Sequence, residues 1–193
     1  MLTESMKQTL LAIARESIRS QLDGSPEEQM AELRQAGIPD ELLEENGLFV
    51  TLKKRVVEAG GLDLRGCIGN IIGHSHLYES VRRLAIESAF SDPRFEPVSS
   101  VEELGNLQIE ISVLTQPKAV DSYREILIGR DGIVLRRGFR SAVFLPQVAV
   151  EQGWGLEETL THLSMKAGLG LGAWREPECT FQTFQAEVFA ESD

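Results

Sequence analysis

One of the two cysteines in this 193-residue chain lies in the stretch Leu64-Arg65-Gly66-Cys67-Ile68-Gly69. A thiol attacks as its thiolate, and neighbouring positive charge favours that form. In an extended strand alternate residues share a face. Asp63, Arg65, Cys67 and Gly69 are then expected on one side, and Leu62, Leu64, Gly66 and Ile68 on the other. This placement makes Arg65 the stabiliser of a Cys67 thiolate, with a pKa below the ~8.5 reference. Gly66 and Gly69 leave room for another backbone or a small ligand. The competing reading, given equal weight, is an inert cysteine filling a tight corner of a sheet.

Other residues bear on the same chemistry. Glu110, on the polar side of Leu107–Leu114, is either a proton acceptor for the thiol or a plain ion-pair partner for Arg65. Asp92 and Arg94 flank Pro93 and either join the site or tie down a loop. Cys67, His74 and His76, with Asp92 or Glu110 as a fourth ligand, would make a metal set. Cys-x6-His-x-His matches no common zinc spacing, so no metal is expected and the histidines are read as solvated or capping.

The elements that must position these groups follow from periodicity. Residues 4–22 repeat Met6, Leu10, Ala14, Ile18 and Leu22 at helical spacing, with Ser5 and Gln8 as a capping box. Ser25-Pro26-Glu27-Glu28 starts a second helix that Gly37 and Pro39 stop, and a short third passes through Leu42-Leu43. Leu48–Val57 is β-rich, and Gly60-Gly61 turns it back into the Cys67 strand, giving a hairpin over 48–71. A helix is predicted over 77–90, capped by Ser75 or His76 and ended at Pro93. Strands are expected at Leu107–Leu114, Ile126–Ile128, Ile133–Arg136 and Ala142–Leu145. Pro146 opens a loop to Trp154, a helix follows from Leu156 to Ala167, and Phe181–Phe189 forms one last strand. Hairpins with clustered helices indicate an α+β fold of mainly antiparallel sheet. Residues 48–90 and 132–169 share the order hairpin, loop, helix, and their helices match at an offset of 79 residues (Val81 with Leu160, Leu84 with Leu163), which suggests an internal duplication.

Bulk composition narrows the function classes. The net charge of −11 disfavours polyanionic partners such as RNA or anionic membrane. Residues 23–46 hold eight acids against Arg34 alone and are expected to form a solvated face or, less favourably, a docking surface. Basic stripes at Lys53-Lys54-Arg55, Arg82-Arg83 and Arg136-Arg137 with Arg140 have few aromatics among them, so base stacking has little support. There is no P-loop or dinucleotide fingerprint; Gly168-Leu169-Gly170-Leu171-Gly172 ends a helix instead of opening one. No run approaches the ~18 apolar residues of a membrane span, and no signal peptide is recognised at the N-terminus. With no disulfide framework, a cytoplasmic location is expected.

The hexapeptide 64–69 resembles the hallmark of the AMMECR-one domain family, whose prokaryotic members are called AmmeMemoRadiSam system protein A. Further blocks are similar in order: Phe49–Lys54, Ala89–Phe95, Ile109–Thr115, Ile128–Gly132, Leu145–Ala149, Gly153-Trp154, Lys166–Leu169 and Trp174. The resemblance covers about 48–190 and implies one domain over 1–193, with residues 1–47 as a helical acidic lead-in. It also implies an α+β fold with a major and a smaller lobe, and partnership with a Memo-like protein and a radical SAM enzyme. It specifies no cofactor or reaction. Its motif residues group as Lys53, Arg65, Cys67, Asp92, Arg94, Glu110 and Gln147. The expected activity is a small-ligand or modified-residue site at Cys67. If it is catalytic, Cys67 is the nucleophile, Arg65 its stabiliser and Glu110 or a histidine the base. A non-catalytic adaptor is the alternative, and RNA binding a weaker third.

Overall fold

The computed structural model describes residues 2–56 and 61–192. It contains α1 (Glu4–Asp23), α2 (Glu28–Ala36), α3 (Asp40–Leu43), β1 (Leu48–Val56), β2 (Gly61–Asn70), α4 (Leu77–Phe90), α5 (Val101–Gly105) and β3 (Leu107–Leu114). These are followed by β4 (Lys118–Val120), a 3-10 turn at Tyr123–Glu125, β5 (Gly132–Arg137), β6 (Arg140–Phe144), α6 (Pro146–Gln152) and α7 (Leu156–Lys166). A second 3-10 turn (Ala173–Arg175), β7 (Thr180–Phe184) and β8 (Ala186–Ala190) complete the chain. The fold is α+β, as expected, with two antiparallel four-stranded sheets. Gly60 of the predicted Gly60-Gly61 turn, and Val57, lie outside the described residues.

The chain divides into two compact units, residues 1–113 with 187–193, and residues 114–186. The first is built on the sheet β2-β1-β3-β8. Strand alternation sends Leu48, Val50 and Leu52 of β1, and Ile109, Ile111 and Val113 of β3, to one face, where they share a core with Leu10, Ile13 and Ile18 of α1 and Val81 and Leu84 of α4. The acidic lead-in is therefore not all surface, because α1 lies in the same core as β1. Thr3, not Ser5, caps α1, accepting from the Met6 amide at 3.3 Å.

The second unit is built on the sheet β4-β7-β5-β6. Leu135, Leu160, Leu163, Trp174 and Phe181 form its core. In both sheets the second strand of a hairpin is the edge and the first lies beside it. At the predicted offset, α4 and α7 bury equivalent positions: Ser80 and Thr159, Val81 and Leu160, Leu84 and Leu163, Ala85 and Ser164.

Three sequence expectations are corrected. Ile126–Ile128 is not a strand, because the Asp131 carboxylate and the Leu127 carbonyl close a turn there (Leu127 N donates to Asp131 Oδ2 at 2.9 Å, and Asp131 N to Leu127 O at 2.9 Å); the strand is β4 instead. Pro146 opens helix α6 and not a loop: a proline at the first helical position has no amide to leave unpaired. Phe181–Phe189 is two strands in different sheets, broken at Gln185, whose amide donates to Thr115 Oγ1 at 2.9 Å. Among the described residues no helix is long and apolar enough to cross a membrane.

Candidate functional site

The register of β2 decides where the hallmark side chains go. Leu52 faces Gly66 across the hairpin, but Lys53 faces Leu64, so Arg65 is an extra residue at a β-bulge. The bulge reverses the alternation expected for this stretch. Gly66 and Ile68 stay on the core side, while Leu62 and Leu64 turn to the other face and are 42% and 43% exposed. Arg65 is not beside the thiol; its Nε and Nη2 donate to Glu103 Oε1 of α5 at 3.0 and 2.7 Å. Its expected role as thiolate stabiliser is therefore corrected, because the bulge breaks the period of two on which that role depended.

Cys67 stands in a cross-strand row on the face away from α1 and α4. Thr51 pairs with it across the hairpin, and Glu110 pairs with Thr51 from β3. The Thr51 hydroxyl donates to Cys67 Sγ at 3.3 Å. Glu110 Oε2 accepts from Lys53 Nζ at 2.7 Å, so its partner is Lys53 and not Arg65. Thr51 was missed in the sequence because no spacing rule links it to Cys67; only the register does.

The loop after α4 supplies the remaining groups. Asp92 is buried, and its Oδ2 accepts from the Cys67 amide at 2.8 Å. Arg94 grips the same carboxylate through Nε at 3.0 Å and Nη2 at 2.7 Å, and Nη2 also donates to the Cys67 carbonyl at 3.2 Å. The pair thus bonds both backbone groups of Cys67 on the edge strand, as a neighbouring strand would. Asp92 and Arg94 both tie down their loop and bring a guanidinium to Cys67, which the sequence had posed as alternatives.

The two glycines are needed for close packing. A Cβ on Gly66 would stand 2.3 Å from the Ser88 carbonyl oxygen of α4, and one on Gly69 2.3 Å from the Phe49 ring. The buried Ser88 hydroxyl accepts from the Ile68 amide at 2.9 Å and donates to the Val50 carbonyl at 2.8 Å, wedged into the hairpin ladder. Gly66 thus admits another backbone, as expected, while the space beside Gly69 holds Phe49.

Electrostatics argue against a resting thiolate. Burial pushes the Cys67 thiol above its ordinary pKa and Asp92 and Glu110 add to that, outweighing the Thr51 hydrogen bond and the Arg94 charge. The expectation of a lowered pKa is overturned. Conversely, Arg94 and the Cys67 and Arg94 amides hold the Asp92 carboxyl down to about 2 despite its burial. Cys179 is also raised by burial, with its Sγ 2.9 Å from the Ala173 carbonyl.

Gln147 lies in α6 of the second unit, and its buried Oε1 has no hydrogen-bond partner. Among the described residues no three His, Cys, Asp or Glu side chains gather as a metal set. His76 is engaged otherwise, with Nδ1 2.7 Å from the Leu43 carbonyl, and His74 is exposed.

Comparison with known proteins gives consistent results. The family model described as AMMECR1 matches residues 11–189. Protein MK0488 of Methanopyrus kandleri is 45% identical over 158 residues, which span 79% of this chain and 74% of that protein. A protein of Methanothermobacter thermautotrophicus is 38% identical over 189 residues, 95% of this chain and 93% of its own length. The crystal structure of the uncharacterized protein PH0010 from Pyrococcus horikoshii superposes with a TM-score of 0.81 at 38% identity, covering 95% of this chain and 90% of that one.

Proposed function

The chain belongs to the AMMECR1 family, and from that premise we propose that it serves an enzymatic system with a Memo-like and a radical SAM partner, offering a small-ligand or modified-residue site at Cys67. The supporting observation is the single row Cys67–Thr51–Glu110, with Lys53 and Arg94 beside it on a partly buried sheet face. At neutral pH Cys67 takes part as a thiol, a weak donor and polarisable contact, while Arg94 and Lys53, each already paired with a carboxylate, supply N–H donors. Binding leads over nucleophilic catalysis, since the available bases are already occupied: Glu110 by Lys53, and Asp92 by Arg94.

Those internal pairings also favour the second reading, a non-catalytic adaptor whose hallmark is structural. Comparing metabolites in cells that lack the protein with cells that carry Cys67→Ser separates the two. Under the site reading the variant folds but reproduces the metabolite changes of the null cells. A folded Cys67→Ser that restores the wild-type profile would leave the adaptor standing.

A further inference from the structure

We propose that the groove between α1 and α5 of the first unit binds a neutral small molecule: a flat aromatic ring that carries an O–H or N–H donor at one end. Two cavities of about 360 and 620 Å³ lie there, and Arg15 and Gly105 line both, so the two adjoin. Their size is that of ordinary small-ligand sites. The smaller is walled by Ala12, Val101 and Leu104, and the larger by Gln8, Asn106 and Gln108.

Arg15 gives the groove a flat wall where the cavities meet. Its Nε and Nη2 donate to the two Glu191 carboxylate oxygens at 2.5 Å each. Nη1 donates to the Leu104 carbonyl at 3.1 Å, and Nη2 also to the Leu107 carbonyl at 2.8 Å. The N–H bonds of a guanidinium lie in its plane, so these contacts lock the plane and occupy most of its edge. The side chain is still 32% exposed. What it has left for a ligand is a face, and guanidinium faces stack on aromatic rings. Glu191 cancels the charge of Arg15, and the net charge of −11 on the chain opposes an anion, so a neutral ring is favoured.

The larger cavity calls for a hydrogen-bond donor. Gln8 Nε2 donates to Glu4 Oε1 at 3.0 Å, Asn106 Nδ2 to the Glu102 carbonyl at 3.0 Å, and Gln108 Nε2 to the Glu191 carbonyl at 2.9 Å. Those bonds fix the amide nitrogens, and no described residue donates to any of the three side-chain oxygens. Acceptors without protein donors, next to an apolar wall and a guanidinium face, complement an aromatic ring with an O–H or N–H group. Gly105 keeps the junction open. Its φ lies outside the left-handed region and a Cβ there would meet nothing within 4 Å, so neither backbone conformation nor packing requires glycine.

Titration of the full chain with 2-naphthol, followed by NMR shifts of the backbone amides and the arginine Nε–H groups, tests this. Saturable shifts are expected at residues 101–108 and at Arg15 Nε. Decahydro-2-naphthol lacks the flat ring, and 2-methoxynaphthalene lacks the donor. Each should bind about tenfold or more weakly than 2-naphthol. Gly105→Leu should weaken 2-naphthol about tenfold or more without lowering the thermal midpoint. Val101→Asp, at an exposed position of the apolar wall, should weaken it likewise. The proposal is overturned if 2-naphthol leaves those signals unmoved, if either analogue binds as tightly, or if a folded Gly105→Leu or Val101→Asp protein binds as well as the wild type.

Discussion

At Cys67 opposing influences act on one sulfur. Arg94 and the Thr51 hydroxyl favour the thiolate, while burial and the carboxylates of Asp92 and Glu110 favour the thiol and prevail. Alkylation of Cys67 by iodoacetamide in the native protein is therefore expected to be slower at pH 7 than that of an unhindered thiol, and to rise as pH passes the ordinary ~8.5. The rate profile, followed by peptide mass, checks this; a plateau already reached by pH 7 would contradict it. Cys179, buried and hydrogen-bonded, should react more slowly still. Asp92 gives the opposite sign. Its folded pKa of about 2 lies below its unfolded value, so its stabilising contribution is complete above the unfolded pKa and is lost as pH falls from about 4 through 2. Asp92→Asn should cost on the order of 2 kcal/mol at pH 7 and much less at pH 2, measurable by denaturant unfolding at both.

At the scale of elements, the hallmark hexapeptide works mainly as a joint between a hairpin and a helix. Gly66 lets the backbone of α4 approach β2, and Ser88 stitches Ile68 to Val50 in the space that this opens. Gly66→Ala cannot be relieved by a rotamer change, because the obstacle is a backbone carbonyl. The expected loss is several kcal/mol, with a thermal midpoint lowered accordingly. A Gly66→Ala protein as stable as the wild type would show that α4 is free to move off the sheet. The elements also show which signals in the sequence carried through. α4 was predicted at its observed bounds because Val81, Leu84, Ala85 and Ser88 bury at a regular helical period. Arg65 was misplaced because a bulge is an interruption of period, invisible to a rule that assumes the period.

At the scale of the whole molecule, the chain leaves the first unit at Val113 and returns to it from Glu187. The return is fixed by Glu191, which accepts from Arg15 of α1 at 2.5 Å through each carboxylate oxygen and from the Ile109 amide at 2.8 Å. Truncation after Ala190 removes that clamp and leaves the partly buried Arg15 without its carboxylate partner. Stability should fall by roughly 1–3 kcal/mol, and amides of β3 and β8 should exchange faster in hydrogen-exchange mass spectrometry. Unchanged protection in β8 would mean that strand pairing alone holds the C-terminal segment.

Composition and periodicity by themselves determined the α+β class and most elements, while the resemblance of the hallmark and its companion blocks pointed to the family and grouped Cys67, Asp92, Arg94, Lys53 and Glu110 as residues to watch. These are local properties: a repeat of 3.6 or 2, a proline, a block of sequence. Only the tertiary structure decided which guanidinium meets Cys67, which lysine meets Glu110, and that the resting sulfur is a thiol. Those outcomes depend on strand register, on one bulge, and on desolvation summed over residues far apart in the chain, none of which a local pattern encodes.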